Sequence, residues 1–396
     1  MNNFLSNKSR LHQNLEFTLI SFLLIFPKID LINILNFHQG IRAEDLIVTL
    51  FAISLYKSNL FKIKKDDFGY YFYLYFIIIF ISIINGLIYF NQIWIILPRY
   101  LEYIIILIYF NRSNPNLESI FLILRIYLVA NFIVVILQQN GLMGEFSSLG
   151  YQSPLNLTDD RPTGLTGGPW ELSNCSAIIF FTLLLDNKQS DFKKYIFSFI
   201  IIYLILATKS RTIIVAFIFA FTFYLYFNVV KKKNFYVFLM ILISFVFIVI
   251  LNFDIVVSFF YDLKIYLELF PIFENFIFKL EKPDTETLDG RLWSMAYRIE
   301  HWLILYNQFL LNPFTIVFGI GSTLMYYEST LFRILFGTGI IGLVFVLYSI
   351  KKIPLHILIL LIINSFSLDL LLSFKIFITL LLYFFILNKV KYDYRN

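Results

Sequence analysis

The chain has 396 residues, of which 59% are hydrophobic and 15% charged, against roughly 45–50% and about 25% in ordinary soluble domains. That balance points to a membrane protein, and with a net charge of +6 nucleic acid is not an expected partner. Cys175 is the only cysteine and His12, His38, His301 and His356 lie far apart without HExxH spacing, so neither an intramolecular disulfide nor a bound catalytic metal is expected.

The first apolar run, "LEFTLISFLLIF", follows "NKSR" as a signal segment would, but it ends in "PKID" without a small-residue cleavage site and reads as a retained span. Further apolar runs follow. With the first, they place spans near 13–27, 42–56, 69–90, 92–110, 119–138, 169–185, 194–208, 211–229, 235–252, 329–349, 353–370 and 371–388. The expected fold is thus an all-α polytopic integral membrane protein of about twelve transmembrane helices, a single membrane domain over 1–396. The 48 Phe and 26 Tyr accompany many Ile, Asn and Lys, a bias of AT-rich codons that carries no functional weight.

Lys and Arg collect in alternate loops: at Lys8 and Arg10, at Lys57 to Lys65, at Arg112, at Lys188 to Lys194, at Lys231 to Lys233, at Lys351 and Lys352, and at Lys389 to Arg395. By the positive-inside tendency these face the cytoplasm, with both termini. Two long loops then fall outside. One covers 139–168; the other covers 253–328, holds ten acidic against five basic residues, and is long enough to require helices of its own.

Several charges gather on that outer side. In "GRLWSMAYRIEHWLILYNQF", Arg291, Ser294, Arg298 and His301 share one helical face, with Asp289 as N-cap. That face is either the solvated side of a helix lying on the membrane surface or an anion-binding face turned to a cavity. "ATKSRTII" sets Lys209 and Arg211 at the outer ends of two spans, where snorkelling or an anionic ligand would account for them. "RPTGLTGGPWELSNCSA" ends the first long loop and opens a span at Pro169. Arg161, Gly164, Gly167 and Gly168 make it a candidate anion-binding turn, with a turn-rich re-entrant loop as the plain alternative. The convergence of Arg161, Arg211, Arg291, Arg298 and His301 on one side suggests a shared anion site.

In their order, "RPTGLTGGPWELS", "TKSRT", "GRLW", "NPFTIVFGIGS" and "YYESTLFRILFGTGIIGL" resemble the motifs of the O-antigen polymerase and ligase membrane proteins, over about Arg161 to Leu343. The resemblance implies a GT-C-like glycosyltransferase without cofactor or metal in a bacterial cytoplasmic membrane. It would join undecaprenyl-diphosphate-linked repeat units into O-antigen or capsule on the outer face, beside a flippase and a chain-length regulator. Ligases of this superfamily carry a histidine where this chain has "YYESTLF", which favours polymerase; an Arg-x10-Gly pattern described for polymerase loops is not matched here. Arg161, Gly164, Gly167, Gly168, Arg211, Arg291 and Arg298 would bind the donor, because bidentate guanidinium contacts suit diphosphate oxygens. Glu328, or else His301, would be the catalytic base; the competing reading of Glu328 is a helix-capping carboxylate. Ligase and transporter or flippase remain the alternatives, the latter kept open by Arg99, Arg125 and Lys375 within spans.

Overall fold

The computed structural model describes residues 17–27, 30–35, 39–57, 68–90, 97–112, 115–144, 161–227, 290–321, 327, 329–351, 353–368, 370 and 373–393. Among these the regular secondary structure is helical apart from one short antiparallel pair. Helices occupy 17–25, Ala43–Lys57, Phe68–Phe90, Leu97–Arg112, Leu117–Gln139, Pro169–Leu183, Asp191–Ala207, Arg211–Leu225, Gly290–Phe309, Pro313–Phe318, Thr330–Ile350, Leu355–Ser367 and Phe374–Asp393. The span expected near 235–252 lies outside the described residues, as does the Asp289 cap. Two helices, Leu117–Gln139 and Thr330–Ile350, are long and apolar enough to cross a membrane, and the shorter apolar helices include Phe72–Ile88 and Arg211–Leu225.

The sequence reading left 28–41 without structure, whereas Asp30–Leu35 pairs with Gln39–Arg42. Asp30 lies opposite Arg42 and Leu35 opposite Gln39. Six residues are too few for a span, and β-branched Ile32 and Ile34 suit a strand.

The chain divides into two compact units. The first comprises Met1–Lys64, Leu101–Phe221 and Ser373–Asn396; the second comprises Lys65–Tyr100 and Thr222–Leu372. At the centre of the first stands Pro169–Leu183, buried at every residue from Glu171 to Leu183, as a helix surrounded on all sides must be. It packs against Asp191–Ala207, Phe374–Asp393 and Leu117–Gln139, and Phe180 meets the Phe217 ring edge-on at 5.2 Å. A charged or polar side chain carried into such a core needs a partner. Arg125 accordingly donates to Asp186, tying Leu117–Gln139 to the turn after Pro169–Leu183.

The second unit is organised around Thr330–Ile350, which packs on Phe68–Phe90, Pro313–Phe318, Leu355–Ser367 and Gly290–Phe309. Asn312 and Thr315 start Pro313–Phe318 with a reciprocal capping box. Ser329 starts Thr330–Ile350, its hydroxyl accepting from Phe332 N at 3.4 Å. Trp302, Leu305, Phe309, Ile320, Tyr327 and Phe336 form the core here.

Candidate functional site

Among the described residues, each unit contains a buried stretch where the backbone leaves the helix and glycines cluster. In the first unit it is the arch 161–168, whose residues from Pro162 to Thr166 are buried. Backbone amides in such surroundings need partners, and here side chains provide most of them. Gln138 Oε1 accepts from Thr163 N (3.1 Å) and Gly164 N (2.9 Å). One stripe back along the same helix, Asn131 Oδ1 accepts from Leu165 N at 2.9 Å, its amide donating to Tyr127 O. Thr166 N bonds Thr163 O, and Gly167 N donates to Glu171 Oε2 at 2.6 Å. Leu165 O accepts from Lys375 Nζ at 2.5 Å.

Gly164 has φ +59, and a Cβ there would stand 2.4 Å from Asn131 Oδ1. The close approach that this glycine permits is therefore by Asn131, and the Gly167 amide is taken by a carboxylate within the protein. Gly168 is the N-cap residue of Pro169–Leu183, without a side-chain cap bond. Arg161, half-buried, stands at the start of the arch. Arg211 is half-buried as the first residue of Arg211–Leu225, two residues after Lys209, which has φ 50.

In the second unit Thr330–Ile350 is broken at Gly339 (φ 68, ψ −170). The carbonyls of Phe336 and Gly337 accept from Ile320 N (2.8 Å) and Gly321 N (3.1 Å), so 319–321 lies along the break. A Cβ at Gly319 would meet Gly337 O at 2.3 Å, and one at Gly339 would meet Val317 O at 2.3 Å. Asn85 Nδ2 donates to Gly319 O. Close by in sequence, Arg333 is fully buried, its guanidinium 4.7 Å from the centroid of the Tyr327 ring, a cation–π distance. Tyr327 is fixed at both ends: its hydroxyl donates to Gly321 O (2.7 Å) and its carbonyl accepts from Trp302 Nε1 (2.7 Å).

Arg298 lies on the stripe of Trp302, Leu305 and Phe309, all buried, four, seven and eleven residues further along one helix. Arg298 and His301 are themselves half-buried. This stripe faces the core over its second half, which disfavours the solvated-face reading. Arg291 belongs to the same helix, and its side chain lies outside the described residues. Glu328 also lies outside them; the N-cap position that competed for it is occupied by Ser329.

Sequence reasoning missed Asn131, Gln138, Glu171 and Ser373, and noted Lys375 only as an intramembrane charge. A signal did exist: Asn131 and Gln138 are polar residues seven apart in a largely apolar helix, hence on one face. Their partner was not in view.

No family model matches the chain, and no curated protein matches it.

Proposed function

We propose that the protein is a polytopic membrane glycosyltransferase of about twelve spans, GT-C-like in plan. It polymerises undecaprenyl-diphosphate-linked oligosaccharide repeat units at the outer face of a bacterial cytoplasmic membrane, with both termini in the cytoplasm. One observation carries this reading. Three of the five motifs that bear the resemblance to O-antigen polymerases, "RPTGLTGGPWELS", "NPFTIVFGIGS" and "YYESTLFRILFGTGIIGL", contain buried backbone that leaves the helix, at 161–168, at 319–321 and at the break at Gly339. In apolar surroundings such backbone is kept only where it is fully satisfied or lines a cavity, a requirement that spanning alone does not impose.

In this mechanism Arg161, Arg211, Arg291 and Arg298 hold the donor diphosphate and stabilise the charge that develops as it leaves. A hydroxyl of the acceptor sugar attacks the anomeric carbon, the bond to the diphosphate oxygen breaks, and the hydroxyl proton passes to Glu328 or, failing that, His301. The stem of the lipid-linked donor stays in the bilayer. Membranes containing the protein and supplied with undecaprenyl-diphosphate-linked repeat units are expected to form a ladder of longer glycans. Glu328→Gln is expected to abolish the ladder while donor is still bound, and Arg161→Ala to weaken donor binding. A ladder of normal yield from both variants would overturn the assignment of these residues, and the absence of any ladder with the native protein would overturn the polymerase reading.

A transporter or flippase is favoured by a different observation, the discontinuous Thr330–Ile350 helix, since broken helices build substrate sites in transporters. It would move the lipid-linked unit across the bilayer without lengthening it. A ligase would use the same donor and pass it to a lipid A core sugar.

A further inference from the structure

Two opposite charges sit deep in the first unit, Glu171 inside the "RPTGLTGGPWELS" motif but given no role above, and Lys375 outside the motifs. Glu171 and Lys375 are each 1% exposed, although carboxylates and ammonium groups almost never reach that depth uncompensated. The Glu171 carboxylate accepts from Gly167 N (2.6 Å) with one oxygen and from the Ser373 hydroxyl with the other. Ser373 immediately precedes Phe374–Asp393, and two residues on, Lys375 Nζ donates to Leu165 O (2.5 Å) and Phe26 O (2.8 Å). The anion therefore holds the arch by an N–H and the cation holds it by a carbonyl, two residues apart, with Ser373 joining the carboxylate to the helix that bears the lysine.

We propose that Glu171 and Lys375 form one charge-compensated latch that clasps the Arg161–Gly168 arch at Leu165 and Gly167. They are positioning residues that set where Arg161 stands. Each charge is tolerated because the other is present, so removing one leaves a buried charge uncompensated, while removing both leaves neutral groups only. The latch itself follows from the contacts; the importance of Arg161 rests on the reading of the preceding subsection.

The test is a labelling rate. In a Cys175→Ala background the protein has no cysteine, and Thr163→Cys places a thiol at a position 2% exposed in the arch. Isolated membranes are treated with a small maleimide, and the ladder assay is run on the same membranes. The latch requires slow labelling with Glu171 and Lys375 intact and at least about tenfold faster labelling with Lys375→Met or Glu171→Gln alone. With both substitutions the rate must be slower than with either alone. Single variants that label no faster than the parent, or a double variant whose acceleration is the product of the two single ones, would overturn it. Should Lys375→Met fail to accumulate, accumulation of the double variant with labelling within a few-fold of the parent supports the latch, and its equal loss overturns it. If labelling behaves as required while donor KM and ladder yield stay at parent values, the latch stands and the donor-binding role of Arg161 falls. If KM rises while labelling does not change, the latch falls.

Discussion

The arch 161–168 and the break at Gly339 solve one problem in two ways. Both carry non-helical backbone through buried surroundings. The arch has its amides and carbonyls satisfied by side chains from other segments, Gln138, Asn131, Glu171 and Lys375. At the break, backbone pairs with backbone, Ile320 N to Phe336 O and Gly321 N to Gly337 O, and glycines supply the room. The first should therefore be sensitive to loss of polar side-chain atoms, and the second to addition of a single methyl group.

The largest expected effect belongs to the break. Gly319→Ala puts a Cβ 2.3 Å from a backbone carbonyl oxygen at φ 82, where strain of about 1–2 kcal/mol adds to overpacking of roughly 1–3 kcal/mol. Loss of folded protein, or a fall of several degrees in the melting temperature in detergent, should follow. An unchanged transition would show that the turn does not lie against the break.

Next comes the arch. Asn131→Leu leaves Leu165 N buried without an acceptor, a penalty of about 1–3 kcal/mol, whereas Asn131→Asp keeps an oxygen acceptor at the cost of a buried charge. The leucine variant should lower the melting temperature and raise maleimide labelling of Thr163→Cys in the cysteine-free background. Stability equal to the parent would mean that another group takes the Leu165 amide.

A smaller change is expected from Trp302→Phe, which keeps most of the ring in the second unit's core but removes the bond to Tyr327 O. About 1 kcal/mol is the expected scale, read as a modest shift of the unfolding midpoint. The smallest belongs to Lys188→Ala. Lys188 bonds Glu118 at 2.7 Å, yet both side chains are largely exposed, and exposed pairs are readily screened. No measurable stability change is expected.

The same contrast explains what the sequence disclosed. Helix positions were legible because apolar runs bounded by turn residues carry their own signal. Pro169 opens its helix as its place at N1 requires, and the long second loop does contain Gly290–Phe309 and Pro313–Phe318. The break was half-legible, since Gly319, Gly321 and Gly339 announce unusual backbone but not what they approach. The arch was the least legible. Its glycines suggested a ligand at close range, whereas Asn131 stands 34 residues from Leu165 in sequence and Lys375 stands 210, separations over which no local pattern operates. The basic stripe of Gly290–Phe309 was left open between solvent and a cavity for a related reason. Leu305 and Phe309 lie further along the stripe of Arg298 and are buried, so the outer half of that stripe gave no notice of the inner half.

The most direct measurement is the surface glycan of a strain from which this protein has been deleted, compared with the same strain carrying the native chain. Polymerisation predicts that lipid-linked units still reach the outer leaflet and that only single repeat units are attached to their acceptor, with long chains restored by the native protein and not by Glu328→Gln. Long chains persisting in the deletion strain would contradict the account. So would loss of all attachment, which would indicate a ligase, or accumulation of lipid-linked units on the inner leaflet, which would indicate a flippase.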